Sequence, residues 1–542
     1  MQFILRFGLR PKCAGNFYCM IFSRKVLSIV AILAVGLVVA LGTGFSTRWK
    51  IPSIKNTEAS PSISKKANKQ NPAINSSSST SANNIRNYDV LVFGGTPEGV
   101  AAAISSSRQG LKTCLAIERN KLGGVWSNGR LNQMDNTYEI VRTSPTVLYR
   151  PTAPGINEEF LNQLGCQKMT NGIYDGVFDP DKVKPVFQTL LKNNKVDYFN
   201  FDDFTPTVAN RQITGVKFAV GSATEDIRAT YFIDASETGE LAVRSGCPYT
   251  LGRSTKIYGK LDRPVALLKS EYGTDEAIMC STLLFRLGGI NWSQIQDIVY
   301  KGKVDACGKL GNAAWGYRAV GCSYNTQPSM PNGVMLKGLN MGRQSDGSVW
   351  INGLLVFGVN STSQTSIQNG VRRARAELSK IVNHLKANIP AFKNAYLIGS
   401  AETLYIRESR HFIGEYILKL DDLLQGVQPY DKIAPARYPV DIHPYTQAEA
   451  YNNLMKYGSL VDAHLQPKLY GIPLRSLLPM RIDNLLIVGK TISCTPKAAG
   501  SARIISIGIS EAESAGKVVA ASKKLGRSLK DLAYNKQFWT SQ

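Results

Sequence analysis

Six residues between a short apolar run and a helix-forming stretch have the composition of a phosphate-binding turn. Residues 88–93 (YDVLVF) favour a strand, and the stretch VAAAISSSRQG after the turn favours a helix. Small residues in such a turn let the backbone approach a pyrophosphate, which the N–H groups and dipole of the helix N-terminus then stabilise. We therefore expect a nucleotide cofactor to bind Gly94, Gly95, Thr96, Pro97 and Gly99. Thr96 stands where the usual GxGxxG pattern has its middle glycine.

The segment after this helix supplies an acidic residue at the spacing that ribose binding requires. Gly110 ends the predicted helix, residues 112–117 favour a second strand, and Glu118 follows 19 residues after Gly99. A carboxylate there favours ribose hydroxyls over a 2′-phosphate. The glycine pair Gly123 and Gly124 follows at once, where a loop can pass close to a bound dinucleotide. A βαβ unit that binds nothing is the alternative interpretation of this first part of the chain.

Two later segments resemble the FAD-dependent oxidoreductase family whose members begin with a GGTPxG turn. They are residues 232–241 (FIDASETGEL) and residues 484–490 (NLLIVGK) with the following stretch ISCTPKAAGSARIISIGISEAESAG. The resemblance implies that the chain binds FAD non-covalently. It also implies that a helix beginning near Ala499 directs its N-terminal amides at the flavin. The further cofactor-binding residues that it implies are Asp234, Ala235, Ser236, Gly239, Gly489, Gly500 and Ser501. The family more often has threonine at position 236 and arginine at position 490.

Residues 405–410 (YIRESR) and 470–479 (YGIPLRSLLP) also resemble recurring family segments, so the resemblance covers residues 88–520. The implied fold is α/β, with a Rossmann-like FAD/NAD(P)-binding domain and an inserted α+β substrate domain. We assign residues 88–245 and 481–522 to the FAD-binding domain, 246–480 to the substrate domain and 523–542 to a C-terminal tail. A helix is predicted at residues 366–387. No second dinucleotide motif appears in the inserted part, which leaves the electron acceptor open.

Four side chains are candidates for substrate binding or acid–base chemistry. Arg407 and Arg410 are three residues apart and would share one face of a helix, where they could bind an anionic substrate. An internal network with Glu408 is the alternative role. His443 and His464 are acid–base candidates because histidine titrates near neutral pH, although an isolated histidine is more often structural.

Cysteine and histidine spacing does not predict a metal site. The nine cysteines include no CxxC pair, and the four histidines are isolated along the chain. Cys494 lies just before the closing helix, where a lowered pKa would make it a redox thiol. Its other interpretation is a small packing residue.

The N-terminal region predicts a membrane anchor. Residues 1–25 are basic, and residues 26–45 are uncharged and almost wholly apolar. Twenty helical residues span about 30 Å, the thickness of a bilayer core, so we expect one transmembrane helix, with a cleaved signal peptide as the alternative. Residues 46–87 are rich in Ser, Asn, Lys and Pro and are expected to be a flexible linker. Basic residues flank the apolar stretch on both sides, which leaves the orientation open.

The net charge of +24 is concentrated at the N-terminus. The first 87 residues hold 12 Lys or Arg and one acidic residue, Glu58, and thus contribute +11. The remaining +13 is spread over 455 residues without a basic helix, so nucleic-acid binding is not expected.

The function that we expect is an FAD-dependent dehydrogenase or oxidase, acting on a small organic substrate near a membrane. Two alternatives stay open from the sequence. One is a flavin-binding protein that catalyses a non-redox elimination or hydrolysis. The other is a membrane-anchored scaffold with a degenerate Rossmann fold.

Overall fold

The described strands and helices alternate along the chain, as an α/β fold requires. The structure is a computed structural model and describes residues 85–135, 138–142, 148–152, 154–326, 333–458 and 465–540. The strands are β1 (Ile85–Phe93), β2 (Thr113–Glu118), β3 (Tyr138–Arg142), β4 (Leu148–Pro151), β5 (Asp197–Phe201), β6 (Asp203–Ala209), β7 (Gln212–Val220), β8 (Ala223–Asp234), β9 (Tyr249–Leu251), β10 (Ile257–Tyr258), β11 (Ser281–Gly288), β12 (Ile298–Tyr300), β13 (Lys303–Asp305), β14 (Cys307–Leu310), β15 (Ala313–Gly316), β16 (Val334–Arg343), β17 (Val349–Val356), β18 (Tyr396–Ser400), β19 (Arg410–Phe412), β20 (Lys432–Ala436), β21 (Tyr470–Pro473) and β22 (Leu485–Ile487).

The helices are α1 (Pro97–Arg108), α2 (Gly124–Ser127), α3 (Ile156–Gln163), α4 (Pro180–Asn193), α5 (Glu240–Arg244), α6 (Arg318–Tyr324), α7 (Gln364–Asn388), α8 (Leu420–Gln425), α9 (Gln447–Tyr457), α10 (Pro496–Ala502), α11 (Ile505–Leu525), α12 (Leu529–Tyr534) and α13 (Lys536–Thr540). The helix predicted at residues 366–387 is confirmed as α7.

A mostly parallel sheet brings the predicted nucleotide-binding segments to one edge. Its order is β5-β2-β1-β8-β7-β6, and β22 pairs with the end of β8. Strands β1, β2, β5, β8 and β22 are parallel, whereas β6 and β7 form an antiparallel hairpin leading into β8. Phe93 and Ile487 both pair with Asp234, so three strands end at the same level. The predicted Rossmann-like arrangement is confirmed, and its strand ends face one opening.

The β1-to-α1 unit forms because its residues favour each element. The end of β1 is buried, as expected for a central parallel strand. Thr96 caps α1 by accepting a hydrogen bond from the Gly99 amide, and Pro97 occupies the first helical position. Helix α1 then packs against α11, where Ser105 Oγ donates to the Glu513 carbonyl oxygen. A Cβ atom at Gly516 would lie 2.7 Å from the Ser106 amide nitrogen, so this close helix contact depends on glycine.

A second, antiparallel sheet carries the intervening part of the chain. Its order is β14-β15-β16-β17-β11-β18. Strands β11 and β17 are buried on both faces, and α7 directs buried Leu378, Ile381 and Leu385 into the same core. That core also contains residues of α1 and α11, so the two sheets share one apolar interior. The assignment of residues 246–480 to a separate substrate domain stays a prediction.

The closing segment differs from its prediction. The expected helix beginning near Ala499 is two helices, α10 and α11, separated at Arg503 and Ile504. Helix α10 begins earlier because Thr495 accepts a hydrogen bond from the Ala498 amide and Pro496 occupies the first helical position.

The predicted membrane segment, residues 26–45, and most of the predicted linker, residues 46–87, lie outside the described residues. Within the described ranges, no helix combines the length and the apolar character needed to cross a membrane.

Substitution of Gly99 by alanine is expected to destabilise the fold by about 2 kcal/mol or more, because its Cβ would overlap the Gly94 carbonyl oxygen at the end of β1. Gly399→Ala is the matched control, since no heavy atom lies within 4 Å of its added Cβ, and it should change stability by less than about 0.5 kcal/mol. Urea unfolding of both variants measures the difference. Equal midpoints would show that the turn tolerates a side chain.

Candidate functional site

A cleft lies at the carboxyl edge of the parallel sheet, between two groups of side chains. One group comes from the strand ends and the segments beside them: Thr96, Glu98, Val125, Ala235, Ser236, Glu237, Val488, Gly489 and Lys490. The other comes from residues 405–407 and the start of α11: Tyr405, Ile406, Arg407, Arg503 and Ile505. Segments distant in sequence therefore meet where open α/β sheets bind their ligands.

The glycine turn after β1 is packed directly against the loop after β8. Gly94 has a φ of +108°, and a Cβ there would lie 2.7 Å from the backbone of Ser236. Thr96 fits in place of the usual glycine because its hydroxyl donates to the Ala235 carbonyl oxygen at 2.8 Å and accepts from the Gly99 amide at 3.1 Å. The threonine thus joins the two loops that form the cleft. The second glycine pair lies beside them, since a Cβ at Gly124 would be 3.3 Å from Thr96 Cα.

The loop after β8 is shaped by a buried carboxylate. Asp234 accepts hydrogen bonds from the Ser236 amide at 2.9 Å, the Ser236 hydroxyl at 2.7 Å and the Ala242 amide at 2.9 Å. Burial raises the pKa of Asp234 to about 6. Gly239 packs against the Phe412 ring. Asp234 and Gly239 therefore hold the loop in place, whereas Ala235 and Ser236 line the cleft.

Glu98 is a carboxylate in the cleft that the sequence analysis did not select. It lies in the first turn of α1, and a Cβ at Gly489 would be 3.5 Å from its side chain. Burial raises the pKa of Glu98 to about 7, and the charge of Glu237 adds to this shift, while Lys490 and hydrogen bonding oppose it. Behind it, buried Glu511 accepts from the Gly489 amide at 2.9 Å, and burial raises its pKa well above the usual range. Near neutral pH, both the protonated and the charged form of Glu98 are therefore populated.

Lys490 connects the two sides of the cleft. Its ammonium forms an ion pair with Glu237 and donates to the Ile406 carbonyl oxygen at 2.9 Å. A single point charge satisfies both partners.

Two other predicted cofactor residues, Gly500 and Ser501, lie inside α10 and are buried. Ser501 Oγ donates to the Tyr438 carbonyl oxygen at 2.7 Å and also hydrogen-bonds Tyr470. A Cβ at Gly500 would lie 2.9 Å from the side chain of Val440. Both residues pack α10 against its neighbours, and the residues that line the cleft are Arg503 and Ile505 further along.

Glu118 ends β2 at the same edge of the sheet. Its carboxylate is exposed and pairs with Lys121 at 2.5 Å. Glu118, the residue predicted to bind ribose, is thus accessible and has no buried structural partner among the described residues.

The two candidate arginines do not share a helix face. Arg410 lies in β19, where Nη1 donates to Glu240 at 2.6 Å and to the Thr238 carbonyl oxygen at 2.7 Å. Arg407 lies in the loop before β19 and lines the cleft. Glu408 joins neither, because its carboxylate accepts from the Met279 amide and lies 3.0 Å from His411 Nε2. The structure therefore separates a fold-stabilising arginine from one that faces the cleft.

His443 is buried, and its Nε2 lies 3.3 Å from Asp441 Oδ2. Burial lowers the pKa of His443 to about 3, and the nearby charge of Arg407 contributes, so the ring is neutral near pH 7. His464 lies outside the described residues. In the part of the chain that the structure describes, no cluster of three His, Cys, Asp or Glu side chains is suited to a metal ion.

A family model described as FAD dependent oxidoreductase matches residues 89–537. A search of curated proteins finds no match. Among solved structures, the chain is similar to a geranylgeranyl bacteriochlorophyll reductase-like protein from Thermoplasma acidophilum, at 14% identity over 84% of this chain and 82% of that chain, with a TM-score of 0.38. It is also similar to p-nitrophenol 4-monooxygenase from Pseudomonas putida, at 10% identity over 84% and 87% of the two chains, with a TM-score of 0.40. A third is the myxobacterial chondrochloren halogenase, at 10% identity over 83% and 78%, with a TM-score of 0.37.

Replacement of Glu98 by glutamine is expected to change how the stability of the cofactor-free chain depends on pH. A folded-state pKa raised from 4.5 to about 7 makes the folded state bind more protons than the unfolded state between these values. The contribution of Glu98 is therefore present below pH 4.5 and is lost as the pH rises through 7. The free energy of unfolding of Glu98→Gln, relative to that of wild type, should therefore rise by about 2 kcal/mol from pH 5 to pH 8. Urea unfolding at several pH values measures this difference. Glu118→Gln removes an exposed carboxylate and is the control. A difference between Glu98→Gln and wild type that stays constant with pH would contradict the raised pKa of Glu98.

Cys494 is expected to resist alkylation in the folded protein. It is buried, and burial together with nearby carboxylates raises the pKa of its thiol well above the usual range, so little reactive thiolate forms. Cys307 is partly exposed and serves as the internal comparison. Peptide mapping after a short iodoacetamide treatment should show modification of Cys307 before Cys494, and both should react in urea. Faster modification of Cys494 would support the redox-thiol role instead.

Proposed function

Because the chain belongs to the FAD dependent oxidoreductase family, we propose that it is an enzyme that oxidises a small organic substrate with non-covalently bound FAD. The observation that carries this proposal is the meeting of three segments at one cleft: the turn after β1, the loop after β8 and the loop after β22. Each follows a parallel strand, and together they leave backbone and small side chains around the opening.

FAD is the cofactor, and the residues at the cleft fit its chemical groups. The N-terminus of α1 opens onto the cleft beside the small residues of its turn, which suits a pyrophosphate. Glu118 is exposed at the end of β2 and is free to accept hydrogen bonds from ribose hydroxyls. Ala235, Ser236 and Gly489 line the cleft and contribute little side-chain volume to it. No bulky side chain of the described residues replaces a glycine of the turn.

When bound, FAD supplies the two-electron redox chemistry, and the protein has to orient the substrate and stabilise charge. The first turn of α11 begins at Ile505 in the wall of the cleft, so its dipole favours negative charge there. Arg503 and Arg407 add two positive charges on the same side. Glu98 provides a carboxyl group that holds or releases a proton near neutral pH.

We also propose that residues 26–45 anchor the enzyme to a membrane. This proposal is supported by the uncharged apolar stretch, which has the length of one membrane-spanning helix. An enzyme held in this way would act on molecules that are soluble at the membrane surface or delivered from it.

The first test is the visible spectrum of the purified chain after loading with FAD and removal of free cofactor. We expect retained flavin absorption, release of intact FAD on denaturation and anaerobic bleaching by a true substrate. Glu118→Ala should weaken FAD binding at least about tenfold, since hydrogen bonds to a charged group are lost. Glu276→Ala is the matched control, because that carboxylate is also exposed and paired with one lysine, Lys256.

A folded, colourless chain that retains no FAD would contradict the proposal and favour a scaffold role. Retained FAD that no substrate ever bleaches would favour a non-redox activity instead.

A further inference from the structure

Two arginines line the cleft, and a lysine of the antiparallel sheet lies near one of them. Arg407 comes from the loop before β19, Arg503 lies between α10 and α11, and Lys337 lies in β16 of the antiparallel sheet. Arg407 and Arg503 line the cleft directly. Lys337 lies close enough to Arg407 for the two charges to lower the lysine pKa. Segments distant in sequence thus bring positive charges to the cleft and beside it.

Arg407 is held so that one edge of its guanidinium remains available. Nη1 donates to the Cys280 carbonyl oxygen at 3.1 Å and to Thr282 Oγ1 at 2.6 Å, which fixes the group against β11. Its guanidinium carbon lies 4.6 Å from the centre of the Tyr405 ring. Nε and Nη2 donate to no described residue, and no described carboxylate lies within salt-bridge distance. The free Nε–Nη2 edge has the fork geometry that pairs with a carboxylate.

Lys337 has no salt bridge to any described residue. Burial lowers the pKa of Lys337 to about 8, and the neighbouring charge of Arg407 acts in the same direction, while Asp441 and Asp135 oppose it. The ammonium is therefore mostly charged at pH 7, although burial of the charge is unfavourable in free energy. A negatively charged partner would relieve this cost.

Arg503 has one carboxylate partner. Its Nη2 donates to Asp441 Oδ2 and to the Asp441 carbonyl oxygen, each at 2.9 Å, and Nη1 donates to the Tyr405 hydroxyl at 3.2 Å. Its buried Nε has no hydrogen-bond partner in the structure. Asp441 thus forms its ion pair with Arg503 and lies within salt-bridge distance of neither Arg407 nor Lys337.

Among the described residues in and beside this wall, the positive charges exceed the negative charges by one. Lys337, Arg407 and Arg503 are positive, Asp441 and Asp135 are the carboxylates that face them, and buried His443 is neutral. On the other wall, Lys490 and Glu237 pair with each other. A buried positive charge without a counterion is expensive, so a single negative charge is missing from the wall.

We propose that the substrate of this enzyme is an organic monoanion, whose carboxylate binds the free edge of Arg407 and the ammonium of Lys337. The proposal rests on the proposed function, because it assigns the substrate class of the same cleft. Arg410, the other arginine of the segment, is excluded from this role by its ion pair with Glu240. A carboxylate matches both the fork geometry and the single excess charge, whereas a phosphate dianion would exceed that charge.

The test measures binding of simple probes to the FAD-loaded chain by calorimetry and by perturbation of the flavin spectrum. Benzoate and acetate are the carboxylates, benzamide is the neutral isostere of benzoate, and inorganic phosphate is the tetrahedral anion. We expect at least one carboxylate to bind, benzamide to bind at least about tenfold more weakly than benzoate, and phosphate to bind more weakly than the carboxylates.

Substitutions then locate the binding site. Arg407→Gln and Lys337→Gln should each weaken the carboxylate at least about fivefold, and Arg407→Lys, which keeps the charge but loses the fork, should fall between wild type and Arg407→Gln. Arg286→Gln is the control, because Arg286 lies in β11 but is paired with Asp346. Retained flavin and an unchanged melting temperature show that each variant is folded. If Arg407→Gln does not fold, Lys337→Gln and Arg407→Lys decide.

Each outcome bears on one proposal only. A chain that never retains flavin contradicts the proposed function. A chain that retains flavin but binds neither carboxylate, binds phosphate more tightly, or binds carboxylate equally well after substitution of Arg407 and Lys337 contradicts the assigned substrate class. Tighter phosphate binding would point to a phosphorylated substrate instead.

Discussion

The cleft depends on how closely two backbone segments approach each other at the carboxyl edge of the parallel sheet. Gly94 lies against the backbone of Ser236, and Gly99 lies against the carbonyl oxygen of Gly94, with no space for a Cβ atom at either glycine. This contact fixes the start of α1 relative to the loop after β8. The Thr96 hydroxyl then joins the same two segments by a hydrogen bond to Ala235. The shape of this opening is therefore set by backbone packing.

The two walls of the cleft differ in charge, and the difference divides their roles. The wall formed by the strand ends contains carboxylates whose charge is partly suppressed or paired: burial raises the pKa of Glu98, and Glu237 pairs with Lys490. The opposite wall has Arg407 with a free guanidinium edge. Lys337 lies near Arg407 and has no salt bridge to a described residue. The first wall suits a cofactor bound largely through backbone groups. The second suits a ligand that brings its own negative charge.

The family model that matches residues 89–537 confirms the resemblance, but motifs and structure contribute different information about the site. Family motifs mark segments, and a segment contains both residues that face the ligand and residues that hold the segment in place. Asp234 is an example of the second kind, since its carboxylate accepts hydrogen bonds from Ser236 in its own loop and from Ala242 in α5. Ser501 is another, because its hydroxyl bonds to Tyr438 and Tyr470 inside the core.

What the sequence determined is local. The β1-to-α1 turn, the position of Glu118 at the end of β2 and the length of α7 follow from strand and helix preferences and from short-range spacing, and all were predicted. Even the early start of α10 was legible in Thr495 and Pro496, a capping residue followed by proline, although the prediction placed the helix start later.

Tertiary structure alone decided which side chains face the cleft. Arg407 and Arg410 are three residues apart, but their segment is not helical. Arg407 therefore lines the cleft, whereas Arg410 lies in β19 and forms an ion pair with Glu240. Lys337 and Arg503 are separated from them by many residues and join them only when the two sheets pack together. Long-range packing sets these neighbours, and with them the burial and charge that give a side chain its chemistry, whereas sequence spacing constrains only residues within one element.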